Sequence, residues 1–412
     1  MIPWQTFLLA FFFINLAIPF CVKCEFTLNG YLKNFFVVFQ TKQNQIIQLS
    51  ESDFLGSVNQ RIRLKGNSQI NKWISFTGEY DISPRIQDPV LFSNTLFMGK
   101  INPLEYRLID INGKIYPNSE NAGSSFGLFQ NLDRLFLTIR LAFADIYIGR
   151  QAIAWGSARV VNPTDVIAPF TFSELDKEER FGIDGIRYRM PIGLLGEFDA
   201  GYIPGKKGKW ENNAFFTRLK LYKLESDISM MLLGFRENLL IGFDLARAVG
   251  GAGFWLELAY VLDKTLTKNT DRNRSKYFRS SIGLDYSLTS KTYGFIEYHY
   301  NSAGENKTVN YLENLSKIAF REGNVYLLST HYLIPGISYQ IHPLVYLNSQ
   351  TLVNLLDRSF YLAIDLEYNI DQNIYLEGGY FIASGKSSDT FHVNSEFGLY
   401  PNTFYSSFRI YF

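Results

Sequence analysis

The chain of 412 residues has two cysteines, and both lie within its first 24 positions, at Cys21 and Cys24. Residues 25–412 therefore hold no thiol, which excludes a disulfide framework, a thiolate metal site and a cysteine nucleophile from them. Histidine is nearly as scarce. His299, His331, His342 and His392 show no ligand spacing, so no metal is expected. Net charge is also missing: 40 Lys and Arg face 39 Asp and Glu. With no basic excess and no Lys/Arg block, nucleic acid is not an expected partner. No apolar run beyond the N-terminus is long enough to span a membrane as a helix. The one at the start, Phe7 to Phe20, has 14 residues, short of the ~20 that a spanning helix needs and suited to the core of a secretory signal.

That signal is atypical, because its first residues hold no Lys or Arg. Val22 and Cys24 occupy the −3 and −1 positions of an expected cut, which makes Glu25 the first mature residue. Phe20 and Lys23 are too large to precede a lipidated cysteine. The cut removes both cysteines, one Lys and no acid, so the formal charge falls from +1 to 0 over the remaining 388 residues. This length exceeds the usual single core, yet no linker, repeat or low-complexity tract divides it. The expected organisation is a cleaved signal at 1–24 and one domain at 25–412. Enzyme motifs are thin. "GYIPGKKGK" superficially resembles a phosphate loop, but Gly201 and Gly205 are one residue too close and Lys207 stands where Ser or Thr should follow the Lys. No catalytic residue and no cofactor is expected.

Aromatics, by contrast, are plentiful at 16 % of the chain, and they alternate. In "RSFYLAIDLEYN", Phe360, Leu362, Ile364, Leu366 and Tyr368 share one parity; Ala363, Asp365, Glu367 and Asn369 take the other. "SSIGLDYSL", "KWISFTGEY" and "RLFLTIRL" repeat the pattern. Period two is the strand period. Strands are expected at 26–39, 57–65, 72–82, 131–142, 145–153, 183–190, 194–203, 213–222, 225–235, 239–247, 252–262, 276–288, 291–301, 326–341, 343–355, 358–369, 373–384 and 402–412. Short connections at 143–144, 223–224, 289–290, 342 and 370–372 alternate with long polar ones at 154–182, 263–275, 302–325 and 385–401. The segment 83–130 reads as one long outer stretch, although "EYRLIDINGKIY" has strand character. Many strands of about ten residues with alternating short and long connections form the signature of a transmembrane barrel, because lipid offers backbone groups no partner and only a closed sheet satisfies them all. The expected fold is all-β: an antiparallel transmembrane β-barrel of 16–18 strands, with 18 the best count.

The final strand ends flush on "TFYSSFRIYF", with Phe404, Phe408, Ile410 and Phe412 on one face. It resembles the closing strand of Gram-negative outer-membrane proteins. The resemblance implies bacterial outer-membrane localisation, lipid as surroundings, and Phe412 as the signal read by the barrel assembly machinery. A second resemblance lies in residues 148–193. There Gly149, Arg150 and Gln151, then Trp155 and Gly156, then Asn162, Pro163 and Asp165 are similar to a segment of porin-like outer-membrane families, several without assigned function. It covers about a tenth of the chain. Arg150 shares parity with Ile146 and Ile148, which would aim it at lipid, and so is expected past the apolar band or at a bulge.

The loop at 154–182 is long and rich in apolar residues (Val160, Val161, Val166, Ile167, Phe170, Phe172), and it carries the run "DKEER". A long loop with its own packing is commonly functional, and an inward fold would narrow the lumen. Inward-facing charges separate along the chain. Arg61, Arg63, Lys65, Arg134, Arg140, Arg187, Arg189, Arg218 and Lys220 form an expected basic wall; Asp244, Glu257, Asp285, Glu297, Asp365, Glu367 and Glu377 form an acidic one. Facing each other, such walls set a transverse field that favours charged or dipolar solutes. The expected function is a channel for passive diffusion of small hydrophilic solutes. The alternative is a barrel with a filled lumen, acting in surface polysaccharide assembly or export.

Overall fold

The computed structural model describes residues 25–41, 53–93, 103–117, 124–267, 275–388 and 392–412; the expected signal at 1–24 lies outside them. Eighteen antiparallel strands close into a ring. They are β1 Glu25–Gln40, β2 Phe54–Asn71, β3 Ile74–Gln87, β4 Phe126–Arg140, β5 Asp145–Gln151, β6 Ile183–Ile192, β7 Gly196–Ile203, β8 Ala214–Lys223, β9 Ser226–Phe235, β10 Asn238–Val249, β11 Ala252–Leu262, β12 Lys276–Ser287, β13 Thr292–Asn301, β14 His331–His342, β15 Val345–Asn354, β16 Phe360–Asp371, β17 Ile374–Ser384 and β18 Asn402–Tyr411. Each pairs with its sequence neighbours, and β18 returns to pair with β1. Closure is completed at Gly30, whose N–H donates to the Phe412 carbonyl at 2.8 Å and whose carbonyl accepts from Phe412 N–H at 3.0 Å. A Cβ at Gly30 would overlap the Arg63 carbonyl and touch the Phe412 ring.

The antiparallel 18-strand barrel is therefore the fold that the alternation predicts, with three local differences, the first being β2, which runs over Phe54–Asn71 where a strand at 57–65 is expected. The stretch 83–130 is not one outer segment: its ends lengthen β3 to Gln87 and start β4 at Phe126, and Lys114–Tyr116 forms a three-residue strand on the edge of β4. Residues 326–330 are not strand. Tyr326, Leu327 and Leu328 are buried in succession, which a sheet with one wet face cannot do, and the strand begins at His331.

Short turns gather at one end of the barrel, where Phe412 also lies. Leu224–Glu225 and Gly250–Gly251 have both central φ angles positive, the twist that two-residue hairpins favour. Long connections gather at the other end, with the tight Arg236–Glu237 turn among them. Along the outer surface apolar side chains stand exposed, such as Met230 and Leu232 of β9 and Ile282, Leu284 and Tyr286 of β12, while the adjacent Ser229, Met231 and Ser281, of opposite parity, are buried inside. At about 25 cal/mol per Å², a continuous band of this kind is costly in water and favourable in lipid. No helix among the described residues is long and apolar enough to cross a membrane. Inside, at the long-loop end, two apolar clusters pack loops against the upper inner wall. Val161, Phe172, Tyr311, Tyr326 and Phe397 belong to one; Ile153, Trp155, Val166, Ile167 and Phe216 belong to the other.

Candidate functional site

The site begins where β5 leaves the wall. This strand is only seven residues long, and β4 runs on past it, so the edge of β4 beyond Leu135 has no β5 partner. Arg150 closes that gap from the outside. Its guanidinium donates to Asp184 Oδ1, Asp110 Oδ1 and the Leu132 carbonyl, each at 2.8 Å, and to the Ile109 carbonyl. Arg107 adds a bond to the Gly182 carbonyl at 2.8 Å. The outward parity of Arg150 is thus real, and the segment around residue 110 covers it. Gly149 has φ +123° and packs against the Leu135 carbonyl, and Gln151 reaches the Gly185 carbonyl at 3.4 Å.

Past Gln151 the chain enters the barrel, and its contacts pass round the ring from β7 to β4, doubling back once from β13 to β11 between Val161 and Thr164. Trp155 Nε1 donates to Asp199 of β7 at 3.3 Å. The N–H groups of Ser157, Ala158 and Thr164 converge on Glu257 of β11 at 3.1, 3.1 and 2.8 Å, joined by the Thr164 hydroxyl at 2.7 Å. Gly156 has φ +105°, and a side chain there would overlap Asn162 and this carboxylate. The N–H groups of Arg159 and Val161 bond Glu297 of β13 at 2.7 and 3.0 Å. Ser281 of β12 donates to the Val161 carbonyl at 2.6 Å, and Arg279 to that of Pro163 at 3.4 Å. The Phe172 ring then meets Tyr361 of β16 at 4.8 Å between centroids. Asp176 accepts from Lys33 of β1 at 2.9 Å, and Glu178 from Tyr411 of β18 at 2.6 Å. Glu179 pairs with Arg63 and Lys65 of β2. Arg134 of β4 finally bonds the Arg180 carbonyl at 2.6 Å. Arg180 also holds buried Asp165, whose carboxyl burial pushes up against the pull of that guanidinium.

Two cavities of about 290 and 250 Å³ border this segment and share Lys177 and Gln350. The first is lined by Trp155, Arg159, Asn162 and Arg180, the second by Glu174, Asp365, Glu377 and Tyr405.

The inward charges are locally paired. Arg63, fully buried, lies amid Asp81, Asp133 at 3.1 Å, Glu79 at 3.2 Å and Glu179. Three of those carboxylates converge as a metal site would require, but the Arg63 guanidinium holds all three. Arg61 bonds Asp81 at 3.0 Å and Asp176 at 3.2 Å. Arg134 pairs with Asp133, Arg187 with Asp199 at 2.6 Å, Arg189 with Glu197, and Lys220 with Asp227 at 3.3 Å. Arg218 bonds Ser229 at 2.9 Å, and Arg140 bonds Gln69 at 3.0 Å. In the second half, Asp285 meets Arg159 at 2.6 Å, and Arg409 bridges Glu367 at 2.5 Å and Glu377 at 3.0 Å. Asp365 accepts from Asn348 at 2.8 Å, and Asp244 sits across from Glu257 on the adjacent strand. Burial pushes the Asp176 and Glu178 carboxyls up, and Lys33, joined by Arg61 at Asp176 and by the Tyr411 hydroxyl at Glu178, more than offsets it, so both are held below the usual carboxylate range.

No family model and no curated protein matches the chain. Solved structures share its architecture. OccAB2 of Acinetobacter baumannii superposes with a TM-score of 0.54 at 10 % identity, covering 95 % of this chain and 98 % of that one. The outer membrane protein OpdK of Pseudomonas aeruginosa gives 0.55 at 7 %, covering 94 % and 99 %. A BenF-like porin from Pseudomonas fluorescens Pf-5 gives 0.54 at 9 %, covering 95 % and 99 %. The chain has the porin fold. At these identities the likeness is one of backbone architecture.

Several residues that organise this barrel lie outside the sequence expectations. Lys33, Asp81, Asp133, Glu197 and Asp199 partner the inward arginines or the loop acids, and all sit on strands whose parity is readable. Glu396 had no such signal, because it lies in the loop between β17 and β18. It is fully buried, accepting from Leu328 N–H at 2.9 Å, Tyr332 Oη at 2.5 Å and Asn354 Nδ2 at 3.0 Å. It thereby ties three long-end connections together. Burial pushes its carboxyl up to about 8. A raised acid favours the folded loops fully below its unfolded value, and that contribution is lost as pH rises through about 8. Amide protection at 326–330, taken relative to the intrinsic base-catalysed rate, is therefore expected to fall as pH rises from about 5 to about 8, and Glu396→Gln to flatten that fall. An equal pH response in the Gln variant would assign the effect to another group.

Proposed function

We propose that this chain is a bacterial outer-membrane channel through which small hydrophilic solutes diffuse passively, and that residues 152–182 form its constriction. The observation that carries the reading is the order of the loop's contacts: β7, β11 to β13, β16, β18 and β1, β2, then β4. A segment that touches strands all round the ring, with one fold back from β13 to β11 at residues 161–164, lines the lumen as a hoop. Barrels of 16–18 strands are wide enough for an aqueous channel, and a hoop reduces that bore. The two cavities beside it, about 290 and 250 Å³, each have room for roughly ten waters at ~30 Å³ apiece, the scale of a small solute. The apolar outer face and the porin fold support lipid as its surroundings. Export by a cleaved signal at 1–24, and assembly through Phe412 by the barrel assembly machinery, complete the proposal.

Purified protein in planar lipid bilayers tests it. Discrete conductance steps are expected, smaller than those of a barrel without an inward loop. Folded protein that gives no steps would overturn the channel reading and favour a filled lumen that serves surface polysaccharide assembly or export.

A further inference from the structure

The near-miss phosphate loop has no place in the channel. Its lysines sit in the connection between β7 and β8, at the long-loop end of the barrel. Lys206, Lys207 and Lys209 are all exposed, as is Trp210. Lys209 shares an exposed, 3.3 Å pair with Glu211. Lys206 and Lys207 have no carboxylate partner among the described residues. Lys207 takes a left-handed conformation, with φ 63° and ψ 12°. Asn212 Nδ2 fixes the turn by donating to the Lys206 carbonyl at 3.1 Å, and Asn213 holds Gly205 N–H at 2.9 Å.

Depth in the membrane comes from the neighbouring aromatic. The Trp210 ring stacks on Phe215, with centroids 6.1 Å apart and planes 25° apart. Phe215 is the first outward-facing residue of β8, opposite Tyr202 of β7, and both belong to the exposed apolar band. Leu108 and Ile109, also exposed, lie beside the loop, with Leu108 against Gly208. Tryptophan at the top of a lipid-facing band marks the headgroup level. The three lysines therefore stand at that level, next to an apolar surface already in the acyl region. Among the described residues their only carboxylate partner is Glu211. A small soluble anion would use the lysines but not Trp210, Leu108 or Ile109. A lipid with an anionic headgroup uses both.

We propose that Lys206, Lys207 and Lys209, with Trp210 as the depth anchor, form a binding surface for a phosphorylated lipid headgroup of the outer leaflet. Basic residues at a membrane surface contribute about 1 kcal/mol each toward anionic lipid, roughly fivefold in affinity per residue.

The test uses the full chain in detergent with lipid A as the probe, read by native mass spectrometry and by the rise in unfolding temperature on titration. Lipid A is expected to bind and stabilise the native protein. Lys206→Gln/Lys207→Gln/Lys209→Gln should weaken binding about a hundredfold while the barrel keeps its β-sheet spectrum. Glu211→Gln should tighten it, an opposite result that general destabilisation cannot produce. Trp210→Ala should weaken lipid A binding. Inorganic phosphate should give no shift. Equal binding by the triple variant overturns the proposal. So does a shift with inorganic phosphate that matches that of lipid A, which would make this a site for the free anion.

Discussion

Replacing Glu257 and Glu297 together with alanine is expected to raise single-channel conductance severalfold and to open residues 157–164 to protease. Between them these carboxylates accept the N–H groups of Ser157, Ala158, Arg159, Val161 and Thr164 at 2.7 to 3.1 Å. Those donors belong to an irregular segment with no ladder of its own, so the two side chains act as its sheet partner. A buried N–H left without an acceptor costs about 1–3 kcal/mol, and five such losses exceed what the apolar contacts of Val161 and Val166 can hold in place. The strands are indifferent to the change, because their ladder bonds are backbone to backbone. Heat resistance of the barrel should fall only modestly. Glutamine at both positions should give an intermediate result: its carbonyl oxygen still accepts, but its amide turns two donors toward donors. Unchanged conductance with an unchanged cleavage pattern would mean that the first limb of the loop does not set the bore.

Most of the barrel was legible because lipid and water sort side chains at period two. Outward positions such as Ile282 and Leu284 cannot be polar, and backbone closure cannot be partial. Strand ends were less legible. Beyond the apolar band both faces of a strand meet water or packed loops, so β3 and β4 run several residues past the last clean alternation. Residues 326–330 failed for the opposite reason: consecutive burial against loops looks like a strand to any hydrophobic count. The role of Arg150 was half visible. Its parity pointed outward, but the guanidinium is accommodated by carbonyls of residues 109 and 132, and no pattern in the sequence joins those positions. For the inward charges, parity identifies both signs equally. Glu79, Asp81, Glu197 and Asp199 pair with arginines of the first half. Which acid meets which base depends on register and on the loop's path.

The loop's path also determines the last result. Asp176→Asn/Glu178→Gln/Glu179→Gln is expected to shift the reversal potential toward anion permeability. These three acids are the only carboxylate partners of Lys33 and Lys65 among the described residues. Arg61 keeps Asp81, and Arg63 keeps Asp81, Asp133 and Glu79. The triple change therefore leaves two ammonium groups unopposed, one of them, Lys33, wholly buried. Removing one partner of a buried pair costs about 3–5 kcal/mol, more than the second limb of the hoop can absorb. That limb should draw back and admit water to Lys33. The lumen then presents cations where it had neutral pairs. Acid should act in the same direction. Asp176 and Glu178 are held below the usual carboxylate range, so they stabilise the limb at neutral pH, and that contribution is lost only as pH falls through their depressed values. The anion preference of the variant should shrink at 1 M salt, where the screening length is ~3 Å. Lys33→Gln/Lys65→Gln should shift selectivity the other way by leaving the loop acids free. A conducting triple variant with the native reversal potential would show that solutes pass on the far side of the hoop, past Glu174, Asp365 and Glu377, and never meet the β1–β2 cations.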